Sequence, residues 1–380
     1  MAPSRGKTSF LWVLGIAWAV LFALSWISRS PFFRHWELLR EGIVAFRPLT
    51  QLEMPACGDL GRNSHISELQ YWRRLRFTTD ELGFRNLEGA SWSRFVVVGD
   101  SFVVGSGIDD SETIPVVLSR VLGEPVTNYG CVAGLGPLAY LADTRSRELP
   151  PGVVVWAPAY RVVEPVPLGT ASVKKPCETT ERGAPSQNPF SRWIGSWGSV
   201  GEEITAWKML IEERSTLTCL ARSMFHEVYW WFAGRPWEIR AIEVDGLPAL
   251  VLTLEAQGLS AGPEARRLQE TVEGIEQFKR SVSARGSRFV FAPIPDVGTI
   301  YEDHYPESDR GGLASPPFIE LVFRALVSRG VACVDLRPAL RESRLPYLYL
   351  RDDTHLSPRG AEQVGRALAG AVRTVLASER

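Results

Sequence analysis

The apolar positions of this chain fall into three patterns. Residues 8–28, "TSFLWVLGIAWAVLFALSWIS", run 21 positions without a charge. About 20 such residues span a bilayer as a helix, and nothing polar marks a second face that would argue for a buried core helix. From residue 94 onward, short, continuously apolar runs alternate with stretches of helical period. "RFVVVG" (94–99), "EPVTNYG" (124–130), "GVVVWAP" (152–158), "RFVFAPI" (288–294) and "VACVDL" (331–336) read as strands, most of them covered on both faces. Helices are predicted from Thr113 to just before Gly123, over 136–149, 264–285 and 316–330, and from near Ser357 to the C-terminus. Strands alternating with helices predict an α/β domain built on a five-stranded parallel sheet.

The third pattern is a break in that rhythm. Residues 160–260 are rich in Pro, Ser, Gly and Trp and read as an insertion after the third strand. Within them "WEIRAIEVDGLPALVLTLEA" predicts two strands joined at Asp245-Gly246. The resulting plan is a cytoplasmic tip and transmembrane anchor (1–28), an irregular approach segment (29–90), and the α/β domain with its insertion (91–380). The apolar run is longer than a usual signal-peptide core, which favours an uncleaved anchor, although Ala23-Leu24-Ser25 has the form of a cleavage site. Either reading exports the remainder of the chain.

Composition narrows the function. The 380 residues carry 42 basic and 43 acidic side chains, with no long run of one sign, so nothing points to nucleic acid. Cysteines 57, 131, 177, 219 and 333 show no metal-ligand spacing, and no metal or cofactor is implied. In an oxidising compartment Cys177 and Cys219 are the candidates for a disulfide, whereas Cys57, Cys131 and Cys333 look like buried small residues.

Candidate chemistry sits in "FVVVGDSFVVGSG" (95–107). Ser101 lies just past the end of the first strand, at the sheet edge where α/β proteins bind ligands. A serine hydroxyl needs an oriented base to act as a nucleophile. Of five histidines, His355 in "YLRDDTHLSPRG" stands between the last strand and a final helix that Ser357 caps and Pro358 opens. Asp352 and Asp353 are both short acceptors able to hold its ring, and spacing leaves the choice between them open. Asp100 reads as a structural turn residue.

Gly99-Asp100-Ser101-Phe102 early in the domain and Asp352-Asp353-Thr354-His355 late in it resemble the SGNH (GDSL-type) hydrolase superfamily. That resemblance, over roughly residues 80–376, implies a three-layer fold and a Ser-His-Asp triad. It also implies an oxyanion hole from the N–H groups of Ser101 and a glycine, Gly134 rather than Gly130 on alignment. The superfamily's usual GxND block is absent. At its place stands "VVVWAPAYRVVE", where Arg161 or Tyr160 is the candidate substitute donor. This stretch, "FAPIPDVGTIYEDHYP" and the Asp353-Thr354-His355 tripeptide resemble the alginate O-acetyltransferase branch, whose exported members acetylate bacterial exopolysaccharides.

The expectation is therefore an exported acyl-serine enzyme, single-pass in a bacterial inner membrane with its catalytic domain periplasmic. It would act as an O-acetyltransferase or acetylesterase on an exopolysaccharide or cell-envelope glycan, with a partner membrane protein supplying the acyl donor for transfer. Two rivals stand beside it: a secreted esterase or lipase on small esters or lipids, and a catalytically silent scaffold or glycan-binding protein of an export complex. The tryptophan-rich run 227–237, with Trp193, Trp197 and Trp207, reads as insertion core, membrane-resting patch or sugar platform.

Overall fold

In the computed structural model the described residues are 37–40, 43–64, 70–131, 135–163, 239–244, 246–252, 264–305, 307, 317–343 and 347–377, with seven positions between 12 and 20. The chain divides into two compact units, and the one formed by Trp36–Pro176 with Arg235–Arg380 holds every element named below. The seven described positions of the N-terminal apolar run are helical, and Trp12, Val13, Ile16 and Val20 are exposed. Among the described residues no helix is long and apolar enough to cross a membrane. The greater part of the 8–28 run lies outside them, as do the tryptophan-rich run, Cys177, Cys219 and most of residues 160–260, where an insertion was expected.

The segment expected to be irregular is not. It forms β1 (Glu37–Arg40) and β2 (Ile43–Phe46), paired antiparallel. Then come β3 (Gln51–Ala56), a short helix α1 (Asp59–Ser64) and β4 (Arg73–Thr78), with β3 and β4 also antiparallel. The signal was alternation: in β4, Leu75 and Phe77 turn inward to a small cluster with Phe46 and Val104 while arginines 74 and 76 turn out. The charged outward face of β4 made it look like loop.

The parallel sheet is as expected. Its strands are β5 (Phe95–Gly99), β6 (Val126–Gly130), β7 (Val153–Ala157), β10 (Arg288–Phe291) and β11 (Ala332–Cys333), in the order β11-β10-β7-β5-β6. Between β7 and β10 the predicted hairpin is present as β8 (Ile239–Val244) and β9 (Leu247–Leu252). Helices α2 (Ser101–Val104), α3 (Ile114–Leu122) and α4 (Gly136–Ala142) follow the first strands, then α5 (Arg145–Glu148). Later come α6 (Glu264–Ser283), α7 (Val297–Ile300), α8 (Pro317–Ser328), α9 (Arg337–Arg341) and α10 (Pro358–Ala377).

Both faces of the sheet are covered, which is why its central strands β5 and β7 are apolar throughout. Val97, Val155 and Val290 pack with Ile114 and Leu118 of α3 and Val364 and Leu368 of α10. Val98, Trp156 and Phe291 pack with Ile275 and Phe278 of α6 and Val322 and Leu326 of α8. The expected 136–149 helix is interrupted at Asp143, whose carboxylate accepts from Tyr129 Oη at 2.8 Å and from the Arg145 N–H at 2.9 Å. A side chain that bonds the backbone locally competes with helix continuation.

Candidate active site

The chain leaves β5 for β6 on one side and then crosses to β7 on the other, so the strand order reverses between β5 and β7. Clefts at such a reversal, beyond the carboxyl ends of the strands, are where open α/β sheets bind ligands. Ser101 lies there, as the first residue of α2. The turn before it is tight: a Cβ on Gly99 would stand 2.3 Å from Val103 Cγ2 and 2.7 Å from the Ala157 carbonyl. Asp100 is structural, as its sequence context suggested. One carboxylate oxygen accepts from the Phe102 N–H at 2.9 Å, the other from the Ala159 N–H at 2.8 Å, so it ties the end of β5 to the end of β7.

His355 reaches Ser101 from a turn before α10. The Leu350 N–H donates to the His355 carbonyl at 2.8 Å, and the Ser357 N–H to the Leu348 carbonyl at 2.9 Å, closing the turn. Ser357 caps α10, its Oγ accepting from the Gly360 N–H at 3.2 Å. His355 Nε2 is 2.7 Å from Ser101 Oγ and Nδ1 is 2.9 Å from Asp353 Oδ1. An ionised carboxylate can only accept, so Nδ1 carries the ring proton, Nε2 is left as acceptor, and the serine hydroxyl donates to it. His355 is buried, and its imidazole packs on the Phe102 ring at 5.1 Å between centroids. The base is thus held by three contacts of different kinds.

The structure separates the two aspartates that the sequence left open. Asp353 Oδ1 accepts from His355 and from the Thr354 N–H at 2.6 Å, and Oδ2 from the Asp59 N–H at 3.3 Å. Asp352 turns away into the N-terminal strands. Its Oδ2 accepts from the N–H groups of Gly58 at 2.8 Å and Tyr71 at 2.9 Å, and its Oδ1 meets Arg73 Nη1 at 3.0 Å. Asp352 has no place in the serine–histidine chain: its candidacy for the triad is corrected, and it is an anchor.

Arg161 does lie at the site. Its guanidinium stacks over the other neighbour of His355, the Phe102 ring, at 5.1 Å. Nη1 pairs with Asp296 at 2.7 Å and Nη2 donates to Thr354 Oγ1 at 3.3 Å. Burial raises the Asp296 carboxyl above the usual range, with Arg161 opposing the shift. Tyr160, the other candidate in that stretch, is buried. Gly134 lies outside the described residues. Gly130 closes β6, where a Cβ would stand 2.4 Å from the Val104 nitrogen. As first residue of a helix, Ser101 has an N–H with no intrahelical acceptor, the kind of donor an oxyanion needs.

Sequence reading missed Gly58, Asp59 and Arg73, which hold the two aspartates from β3, α1 and β4 or their flanks. A cavity of about 420 Å³ beyond β10 and β11 is lined by Thr299, Tyr301, His304, Arg341 and Leu348 among others. Ser101, Asp353 and His355 are not among its described lining residues. Among the described residues no cluster of His, Cys, Asp and Glu could hold a metal ion.

Residues 254–380 match the family model described as "SGNH hydrolase-like domain, acetyltransferase AlgX". The SGNH resemblance, in its AlgX/AlgJ-like form, holds. The matched segment contains Asp353 and His355, while Ser101 lies upstream of it. The chain is 26% identical over 135 residues to the Pseudomonas aeruginosa protein named "Probable alginate O-acetylase AlgJ". That match covers 34% of this chain and 34% of AlgJ, so the chain spans about a third of the curated relative it matches. Among solved structures, a carbohydrate acetylesterase family member from Sinorhizobium meliloti is 12% identical, with TM-score 0.33 over 74% of this chain and 98% of that one. A G-D-S-L family protein from Desulfitobacterium hafniense DCB-2 is 13% identical, with TM-score 0.36 over 73% and 98%.

Proposed function

We propose that this protein is an acyl-serine enzyme that transfers or hydrolyses acetyl esters on a bacterial polysaccharide of the alginate kind. The observation that carries the reading is the hydrogen-bonded chain Ser101–His355–Asp353, at 2.7 and 2.9 Å, beside the sequence match to an AlgX acetyltransferase domain.

In this reading Ser101 Oγ attacks the acetyl carbonyl carbon as its proton passes to His355 Nε2. Asp353 stabilises the imidazolium that results, and the oxyanion is met by the Ser101 N–H, with Gly134 and Arg161 as further donors. The tetrahedral intermediate then expels the donor alkoxide, which takes the proton back from His355 and leaves acetyl-Ser101. In the second half a sugar hydroxyl or water gives its proton to His355 and attacks the acetyl-serine; the acyl–Oγ bond breaks, and Ser101 Oγ takes that proton back from His355. A sugar hydroxyl gives O-acetylated glycan, and water gives acetate. Export and anchoring through residues 8–28, a periplasmic catalytic domain, and a membrane partner that delivers the donor complete the proposal.

The test uses the purified full-length chain in detergent with 4-nitrophenyl acetate, alone and with a bare uronate polymer, beside Ser101→Ala. Acetate release or polymer acetylation that disappears in the variant is expected, and the product distinguishes esterase from transferase. Wild type and variant equally inert, both folded, would make the silent scaffold the better reading.

A further inference from the structure

The residues that hold Asp352 sit outside the reacting set, yet they join its two halves. Asp352 is fully buried, and its carboxylate faces Gly58, Tyr71 and Arg73 rather than His355. Consecutive N–H groups grip consecutive aspartates: Gly58 donates to Asp352 and Asp59 to Asp353, while the Gly61 N–H donates to the Asp352 carbonyl at 2.8 Å. The fit leaves no room for a side chain at Gly58, where a Cβ would stand 2.1 Å from the Asp352 carbonyl oxygen.

Arg73 extends this grip to the nucleophile. Its Nε donates to the Gly107 carbonyl at 2.6 Å, and its Nη1 to Asp352 Oδ1 and, at 3.1 Å, to the Tyr71 carbonyl. Gly107 lies in the loop that follows α2, whose own end is fixed by the Gly105 and Ser106 N–H groups donating to the Ser101 carbonyl. A Cβ on Gly107 would meet both Leu350 Cδ1 at 2.7 Å and Arg73 Nη2 at 2.8 Å, so the serine loop, the histidine turn and the arginine are in mutual contact. One guanidinium therefore spans the segment carrying Ser101 and the segment carrying Asp353 and His355.

We propose that Arg73, acting through Asp352 and Gly107, is a positioning residue that fixes the separation of Ser101 from His355 and Asp353. The proposal rests on the acyl-serine reading for its catalytic meaning, though not for its structural content. Rigid fork geometry suits the task, because one guanidinium can donate in two directions at fixed angles while an ammonium is a rotatable point charge. The β3–β4 pair is then part of the active-site framework rather than a connection between anchor and domain.

The test compares full-length wild type, Arg73→Met, Arg73→Lys and the double variant Arg73→Met/Asp352→Asn, which leaves no buried charge unpaired. Circular dichroism and urea unfolding establish which are folded. Two readouts follow: kcat and KM with 4-nitrophenyl acetate, and the low-field Nδ1–H proton resonance of His355, assigned by its absence in His355→Gln. A misplacement on the order of 1 Å costs about 100-fold. Arg73→Met and the double variant are expected to lose about 10- to 100-fold in kcat with KM within about twofold. Their His355 resonance should broaden or vanish, and Arg73→Lys should recover part of both signals. A folded Arg73→Met or double variant with wild-type kcat and an unchanged resonance overturns the proposal. If wild type hydrolyses no ester but its resonance is lost in the folded variants, the positioning inference stands and the acyl-serine function fails. An unchanged resonance in folded variants of an inert wild type removes both.

Discussion

Replacing the two adjacent aspartates one at a time tests the assignment of the triad acid most sharply, and the geometry sets the size of each effect. In Asp353→Asn the amide must choose an orientation. With its oxygen at the Oδ1 position it still accepts from Thr354 N–H, at 2.6 Å, and from His355, while its NH₂ faces the Asp59 N–H at 3.3 Å. The flipped amide would set a donor against the two closer donors instead, so the first orientation wins and the ring keeps its tautomer. What is lost is the carboxylate charge opposite the imidazolium that forms as Ser101 reacts. A pair of unit charges about 4 Å apart interacts by ~4 kcal/mol at an effective dielectric constant of about 20. That corresponds to a fall of about 10³ in kcat. Asp353→Ala removes the acceptor as well and should cost about 10⁴.

Asp352→Asn should behave differently. Its amide oxygen can keep the Gly58 and Tyr71 N–H bonds, but its NH₂ then faces Arg73 Nη1, leaving a part-buried guanidinium without its ion pair. Breaking a pair buried on one side only costs about 1–3 kcal/mol of stability, with a loss in kcat of no more than about 100-fold through misplacement. The assay is 4-nitrophenyl acetate turnover at saturating substrate, with urea midpoints measured on the same preparations. An Asp353→Asn enzyme within tenfold of wild type would refute the reasoning. So would a stable Asp352→Asn enzyme as slow as Asp353→Asn, since that pattern makes Asp352 the triad acid.

Three further outcomes are expected. Gly99→Ala drives a Cβ to 2.3 Å from Val103 Cγ2 and should destabilise by about 1–3 kcal/mol; an unshifted urea midpoint would contradict the packing described at the nucleophile turn. Burial pushes the Cys333 thiol up to about 12. The unfolded thiol, near 9.0, loses its proton first, so this residue's contribution to stability is present below pH 9 and declines as pH rises towards 12. At pH 9 iodoacetamide should therefore label Cys333 far more slowly in the native than in the urea-denatured chain, as read by peptide mass, and equal rates would discount the burial. The full-length chain should sediment with membranes and resist alkaline carbonate extraction, and recovery in the soluble fraction would remove the anchor.

How much of this was legible in the sequence follows from how local each signal is. β5 and β7 announce themselves because a strand buried on both faces has apolar residues at every position, and nothing from elsewhere in the chain is needed to see it. The Ser101 turn and the Ser357 cap are equally local, each a few residues wide. The β3–β4 pair was hidden because half of β4 is arginine. An outward-facing strand edge carrying Arg74 and Arg76 resembles solvated loop until its partner is known. The choice between Asp352 and Asp353 was undecidable for the same reason at the scale of one residue. The two adjacent side chains turn to different partners, and which of them holds His355 depends on where Gly58 and Arg73 stand, 294 and 279 positions from Asp352. The serine and histidine could be found because each lies at the end of its own strand or the start of its own helix. The residues that hold them in register could not, since their only signature is contact.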